Sequence, residues 1–240
     1  GHDFYRTMNV EVSDDHRYVA IAEDFTGRRI NEIRVLDTQS GEFLPEVIGN
    51  AEDSLAFSAD GQYIFYLNKD LKTLLGYQLM RHKLGTEVSE DVLVYEEADN
   101  TFYNGVWRSR SGDFIFLGHQ NTDTTEVQWL AADDPLGSFQ TFLPREPGHE
   151  YEIDHANGKF FIRSNWQAQN FRVLTTDLEH AADKSSWKEL IPNRDDAMVE
   201  GIQAFDSWLV VGERHDGLRN VRVMALDGSM DRHLDGSEEA

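Results

Sequence analysis

Five segments of the chain repeat one pattern of apolar and polar positions: RYVAIA (17–22), QYIFYL (62–67), DFIFLG (113–118), KFFIRS (159–164) and SWLVVG (207–212). Each opens on a polar residue and an aromatic, then alternates with period two or stays apolar, as a half-buried or fully buried strand does. Aligned on Tyr18, Tyr63, Phe114, Phe160 and Trp208, the copies are spaced 45, 51, 46 and 48 residues apart. Turn formers precede each aromatic in SDDHR, SADGQ, SRSGD, HANGK and AFDS, where Asn, Asp and Gly accept turn geometry. A further apolar stretch lies ahead of each turn, at 9–12, 54–57, 103–107, 151–153 and 199–203, so a hairpin leads every unit.

A third strand follows at IRVLD (33–37), YQLMRH (77–82), EVQWLA (126–131), FRVLTTD (171–177) and VRVMALD (221–227), three of them closing on Asp. A fourth follows at EFLPEV (42–47), DVLVYE (91–96), SFQTFL (138–143) and SWKELI (186–191); the fifth unit has only DRHLDG left. Four short strands per unit of about 40–50 residues predict an all-β chain, a β-propeller with blades near 5–50, 51–100, 101–148, 149–196 and an incomplete 197–240. One sheet cannot cover both its faces, and radial stacking covers each with a neighbour. A β-sandwich has no reason for a period near 48, and a helical solenoid would show period 3.6. The one helical candidate, DLEHAADKSSW (177–187), falls between strands three and four.

Composition narrows the chemistry. Among 240 residues there is no cysteine, which excludes disulfides, thiolate metal sites and a cysteine nucleophile. No apolar run reaches 18 residues, so no membrane-spanning helix is expected, and GHDFYRTMNV lacks the apolar core of a signal peptide. We therefore expect a cytoplasmic protein, with the periplasm as the alternative. The net charge of −22 disfavours nucleic acid and anionic membrane as partners and favours basic peptides. No metal motif occurs, so no metal and no cofactor are expected.

The segments EDFTGRRINEIRVLD (23–37), TLLGYQLMRHKLGT (73–86), YEEADNTFY (95–103), LPREPGHEYEIDH (143–155), KFFIRSN (159–165), ELIPNRDDAMVEG (189–201) and WLVVGERHDGL (208–218) together resemble the propeller of the oligopeptidase B branch of the prolyl oligopeptidase family. The resemblance covers nearly the whole chain in order. It implies a serine peptidase of two domains, an α/β-hydrolase and a seven-bladed propeller that limits entry to peptides, with cleavage after Arg and Lys and no cofactor. No G-x-S-x-G nucleophile elbow is present; the nearest string, Arg108-Ser109-Arg110-Ser111-Gly112, sits in a hairpin turn. The chain is thus expected to be five blades of the seven, inactive alone, and lacking the hydrolase and the remaining blades. Its open faces would favour self-association, and a crescent is expected rather than a closed ring.

The resemblance also implies that Asp3 and Arg29 belong to a salt-bridge set between propeller and hydrolase, against which stands an ordinary surface pair. Arg81 and His82 read as the solvent-facing end of a third strand, and Asp154-His155 as part of a turn closed by Asn157-Gly158. The five aligned aromatics read as core between blades, and Trp166 as an exposed loop aromatic. Two other functions fit five-fold repetition: a free-standing glycoside hydrolase with paired carboxylates, or an interaction scaffold.

Overall fold

The computed structural model describes residues 3–234. The chain divides into two compact units, one of Gly1–Arg108, Gly112–Asn121 and Gln128–Gln140, the other of Ser109–Ser111, Thr122–Val127 and Thr141–Ala240.

In the first unit β1 (Arg6–Val12), β2 (Tyr18–Asp24), β3 (Asn31–Asp37) and the two-residue β4 (Glu42–Phe43) form an antiparallel meander. The long β5 (Ile48–Phe57) pairs first with β3, through Asn31 to Ala51 and Ile33 to Ile48, and then with β6 (Tyr63–Lys69). With β7 (Gly76–Lys83) and β8 (Val92–Glu96) it completes a second meander, so the two share one eight-stranded sheet. The third sheet has the order β12-β11-β10-β9, from β9 (Tyr103–Arg108), β10 (Phe114–Gln120), β11 (Thr125–Ala131) and β12 (Gln140–Leu143).

In the second unit β13 (Tyr151–Ala156), β14 (Lys159–Ser164), β15 (Arg172–Thr176) and β16 (Lys188–Ile191) form one four-stranded sheet. A 3-10 turn, Lys184–Ser186, replaces the helical candidate between β15 and β16. The last sheet holds β17 (Ala197–Ala204), β18 (Trp208–His215), β19 (Leu218–Ala225) and β20 (Asp231–Leu234), so the DRHL that ends the fifth repeat serves as its short fourth strand.

The second strand of a repeat is apolar on both sides because it feeds two cores. In β6, Ile64 and Tyr66 join Ala20, Ala22, Ile33 and Val35, while Phe65 and Leu67 join Val106, Ile115 and Leu117. Each such large apolar side chain contributes roughly 1.5–3 kcal/mol on burial. The Asp residues that close third strands anchor the next turn: Asp37 accepts Gln39 N–H at 2.9 Å, Asp177 accepts His180 N–H at 3.0 Å and Asp227 accepts Ser229 N–H at 2.8 Å.

One aligned aromatic departs from the expected role as core, and another fills it from the opposite face. Phe114 and Phe160 are buried and Tyr18 and Tyr63 half-buried, but Trp208 is 40% exposed. Its neighbours Leu209 and Val211 enter the core with Phe161 and Val173, so Trp208 points out of the opposite face, which farther along the strands also carries the exposed Met198 and Val221. Among the described residues no sheet covers that face. Phe160 is buried for a different reason than the alignment implies. The tight turn Asn157-Gly158, with φ of 51° and 72°, pairs Ala156 directly with Lys159. That shortens the hairpin and shifts parity by one, and a one-residue slip exchanges faces. Phe161 therefore takes the face shared with β18, and Phe160 packs on Phe142 at 5.2 Å between ring centroids.

Candidate functional site

Arg29 lies on the β2–β3 turn, and local chemistry explains its shape. Asp24 ends β2, and its carboxylate accepts the Thr26 N–H and hydroxyl at 2.8 Å, the Gly27 N–H at 3.0 Å and the Arg29 N–H at 2.7 Å. Burial alone would raise the Asp24 pKa, but these donors outweigh it and hold the carboxyl below its ordinary value. The turn needs left-handed backbone at Gly27 (φ 72°) and at Arg29 (φ 57°). For a non-glycine residue that costs roughly 1–2 kcal/mol, so other bonds must enforce it. The Lys69 ammonium supplies one: its side chain is 3% exposed, bonds the Arg29 carbonyl and pairs with Glu52 at 3.0 Å. The result is a fixed loop that presents the Arg28 and Arg29 side chains to solvent.

Asp3 is brought to the same neighbourhood, since the ring of the adjacent Phe4 packs over Gly27. Among the described residues Asp3 and Arg29 form no ion pair with each other. Sequence reasoning singled out Arg29 and missed Lys69, whose signal was a lone lysine closing the apolar run YIFYLNK.

Lys69 also begins a polar chain. Glu52 accepts the Gly76 N–H at 3.2 Å, and the Asn104 amide donates to the Gly76 carbonyl at 2.7 Å. Asn104 Oδ1 lies 2.6 Å from His119 Nδ1, and Glu97 lies 3.4 Å from the same nitrogen. Gly76 is required here, because a Cβ would sit 2.5 Å from Glu52 Cγ. The chain borders a cleft of about 380 Å³ lined by Asp70, Glu96, Glu97 and Asp99 with Tyr77 and Phe102. No lysine or arginine lines it among the described residues. Four carboxylates and two aromatic rings are suited to a cationic group.

The Ser111 string resolves into a turn. In SDDHR, Ser13 donates to Asp15 at 2.6 Å, and in SADGQ, Ser58 donates to Asp60 in a short contact of 2.5 Å. In SRSGD the acid is replaced by Ser111, whose hydroxyl lies 3.0 Å from Ser109 and 2.8 Å from His155 Nδ1. Asp154 does not orient that imidazole: its oxygens accept the backbone N–H groups of Arg110, His155 and Ala204. His155 is 5% exposed, and the Ser111 contact ties a turn to a strand.

Two other expectations are corrected. His82 lies on the third strand as expected, yet it is fully buried and bonded to Asp91 rather than facing solvent. Trp166 is half-buried, edge-on to Trp187 at 6.0 Å with Arg172 over its ring, while Trp107 and Trp208 are the more exposed indoles. Among the described residues no group of three or more His, Asp or Glu is arranged to hold a metal, and no helix is long and apolar enough to cross a membrane.

The profile of prolyl oligopeptidase N-terminal β-propeller domains matches residues 1–236. The chain belongs to this family. Within the prolyl oligopeptidase propellers, it is similar to dipeptidyl aminopeptidase BI of Pseudoxanthomonas mexicana, with 41% identity over 96% of this chain and 32% of that protein. Protease 2 of Moraxella lacunata is 30% identical over 92% of the chain and 32% of its own length. The structure of oligopeptidase B from Leishmania major superposes with a TM-score of 0.90 and 25% identity, covering 99% of this chain and 34% of that one. The prolyl oligopeptidase propeller described here thus spans about a third of the length of the relatives it matches.

Proposed function

We propose that this chain is the substrate-selecting propeller of a serine oligopeptidase that admits short peptides and favours cationic ones. The observation that carries the reading is the cleft lined by Asp70, Glu96, Glu97 and Asp99 with no basic residue, in a chain of net charge −22. Opposite charge raises the local concentration of a basic ligand, and the effect weakens with salt. The Arg28-Arg29 turn, held by Asp24 and Lys69, and the neighbouring Asp3 are proposed to face the α/β-hydrolase domain, where ion pairs formed only on closure would bias gating. The open face bearing Trp208, Met198 and Val221 is proposed to seat a further blade or, in its absence, a second copy. The family match leaves the glycoside hydrolase and scaffold readings without a supporting observation.

Calorimetry with tri-arginine, tri-alanine and tri-glutamate peptides at low and high salt tests the selection. Salt-sensitive binding of tri-arginine alone supports it, and equal binding of all three refutes it. The chain alone is expected to turn over no Arg or Lys ester, and hydrolysis above the blank would overthrow its non-catalytic role. The relative with 41% identity is named a dipeptidyl aminopeptidase, which favours a second reading in which the same carboxylates hold a peptide's free amino terminus. Acetylating the amino terminus of a neutral peptide separates the two: binding lost on acetylation favours this second reading.

A further inference from the structure

His82, on β7, is an imidazole with no access to solvent and two carboxylates beside it. Its Nδ1 lies 2.6 Å from Asp91 Oδ1, and its Nε2 faces Glu46 Oε1 at 3.6 Å. The three side chains are 0%, 3% and 5% exposed. Tyr66, from β6, donates its hydroxyl to the other Asp91 oxygen at 2.7 Å, and Glu46 Oε1 accepts the Gly85 N–H at 2.7 Å. Asp91 closes the connection from β7 to β8, and Glu46 lies in the connection from β4 to β5. The cluster therefore joins two loops across the end of the first unit. Leu44, Leu84 and Val88, from the same loops, pack on the core beneath.

Two buried atoms in this cluster have no hydrogen-bond partner, His82 Nε2 and Glu46 Oε2. The arrangement makes sense only with a second proton on the ring. As an imidazolium, His82 donates Nδ1–H to Asp91 and turns an Nε2–H towards Glu46, which compensates a carboxylate that water cannot reach. As a neutral ring it keeps Nδ1–H on Asp91 and turns a lone pair towards Glu46, and attraction becomes repulsion. No other charged side chain contacts the imidazole among the described residues. Ile64 is its cross-strand partner, and the neighbouring Arg81 is directed to the Pro135 carbonyl at 2.9 Å.

We propose that Tyr66, Asp91, His82 and Glu46 form a proton-dependent latch that holds the 84–91 connection against the 44–47 connection and releases it when His82 becomes neutral. Burial pulls the His82 pKa down, but the hydrogen bond and charge of Asp91, with those of Glu46, outweigh it and hold the proton more tightly than in an ordinary histidine. A raised native pKa makes the latch complete below the ordinary histidine range and opens it as pH rises through the native value.

The test follows the amide exchange of Gly85 in the isotopically labelled chain, corrected for intrinsic rates, alongside the His82 ring resonance. The range runs from about pH 6 to about pH 10. In the native chain the Gly85 protection factor is expected to fall by about tenfold for each pH unit of perturbed titration, in step with His82, while β6 amides stay protected. Glu46→Gln keeps an acceptor for Gly85 and removes the charge, so its protection is expected to be flat with pH. His82→Gln is expected to be flat as well, and Glu46→Gln keeps the test decisive should that variant not fold. A Gly85 step that persists in Glu46→Gln, no step in the native chain, or a His82 ring that does not titrate would each overturn the latch.

Discussion

Replacing Lys69 by Met removes the bond that fixes the arginine-bearing turn while keeping most of the buried volume. The lysine side chain is 3% exposed and Glu52 is 22% exposed. At their 3.0 Å separation the gross Coulomb attraction is about 5–6 kcal/mol for an effective dielectric of 20. Desolvation cancels part of this, and breaking a buried pair typically costs about 3–5 kcal/mol. Because Glu52 retains some water, we expect the lower end, about 3 kcal/mol. The Arg29 carbonyl also loses its partner, so the loss should concentrate in the turn of residues 24–31. Trypsin reads this directly, because it cuts after Arg28 and Arg29. Where cleavage samples an opened state, its rate follows the open population, and 3 kcal/mol corresponds to roughly a hundredfold acceleration. Adding Glu52→Gln removes the stranded charge and should recover about 1–2 kcal/mol, or roughly tenfold in rate. Cleavage at native rate in Lys69→Met would refute the argument, as would a double variant that is faster by the product of the two single effects.

Three more outcomes are expected. Phe160→Ala empties a fully buried site against Phe142 and should cost about 3–5 kcal/mol in urea unfolding. Gly158→Ala, at φ 72° in the two-residue turn, should cost about 1–2 kcal/mol by the same measurement. His149 is held neutral in the folded chain: burial first, then the Lys184 ammonium, push its pKa down to about 4, with Glu146 opposing. The unfolded chain takes up that proton first, so stability should fall by about 2–3 kcal/mol as pH drops from the ordinary histidine value to the native one. His149→Gln should lack this slope in unfolding curves measured across that range.

Local features were legible in the linear order because they depend on neighbouring residues alone. Asp37, Asp177 and Asp227 could be read as turn anchors, since their acceptors serve N–H groups two or three residues on. Asn157-Gly158 was legible as a primed turn because both residues tolerate positive φ. The repeat itself was legible because every copy needs two apolar faces and four strand-length segments. The Ser111 string could be rejected as a nucleophile elbow for want of its glycine, although its real role as a variant of Ser13-x-Asp15 required the hydrogen bonds.

Which face a residue takes, and which charges meet, depended on contacts between residues far apart in the chain. Phe160 and Phe161 exchanged places because one hairpin is shorter than the others, and pleat parity turns that into a change of face. Trp208 fits the repeat by sequence, yet it is exposed because no described sheet lies over its side. Lys69, Glu52 and Arg29 come together from three different turns and strands, as do Glu46, His82 and Asp91. Alternation along a strand states that a side chain is buried on one side or the other. Only the packed sheets determine what it meets there, and for a buried charge that partner decides whether it acts as a clamp, a latch or a fault.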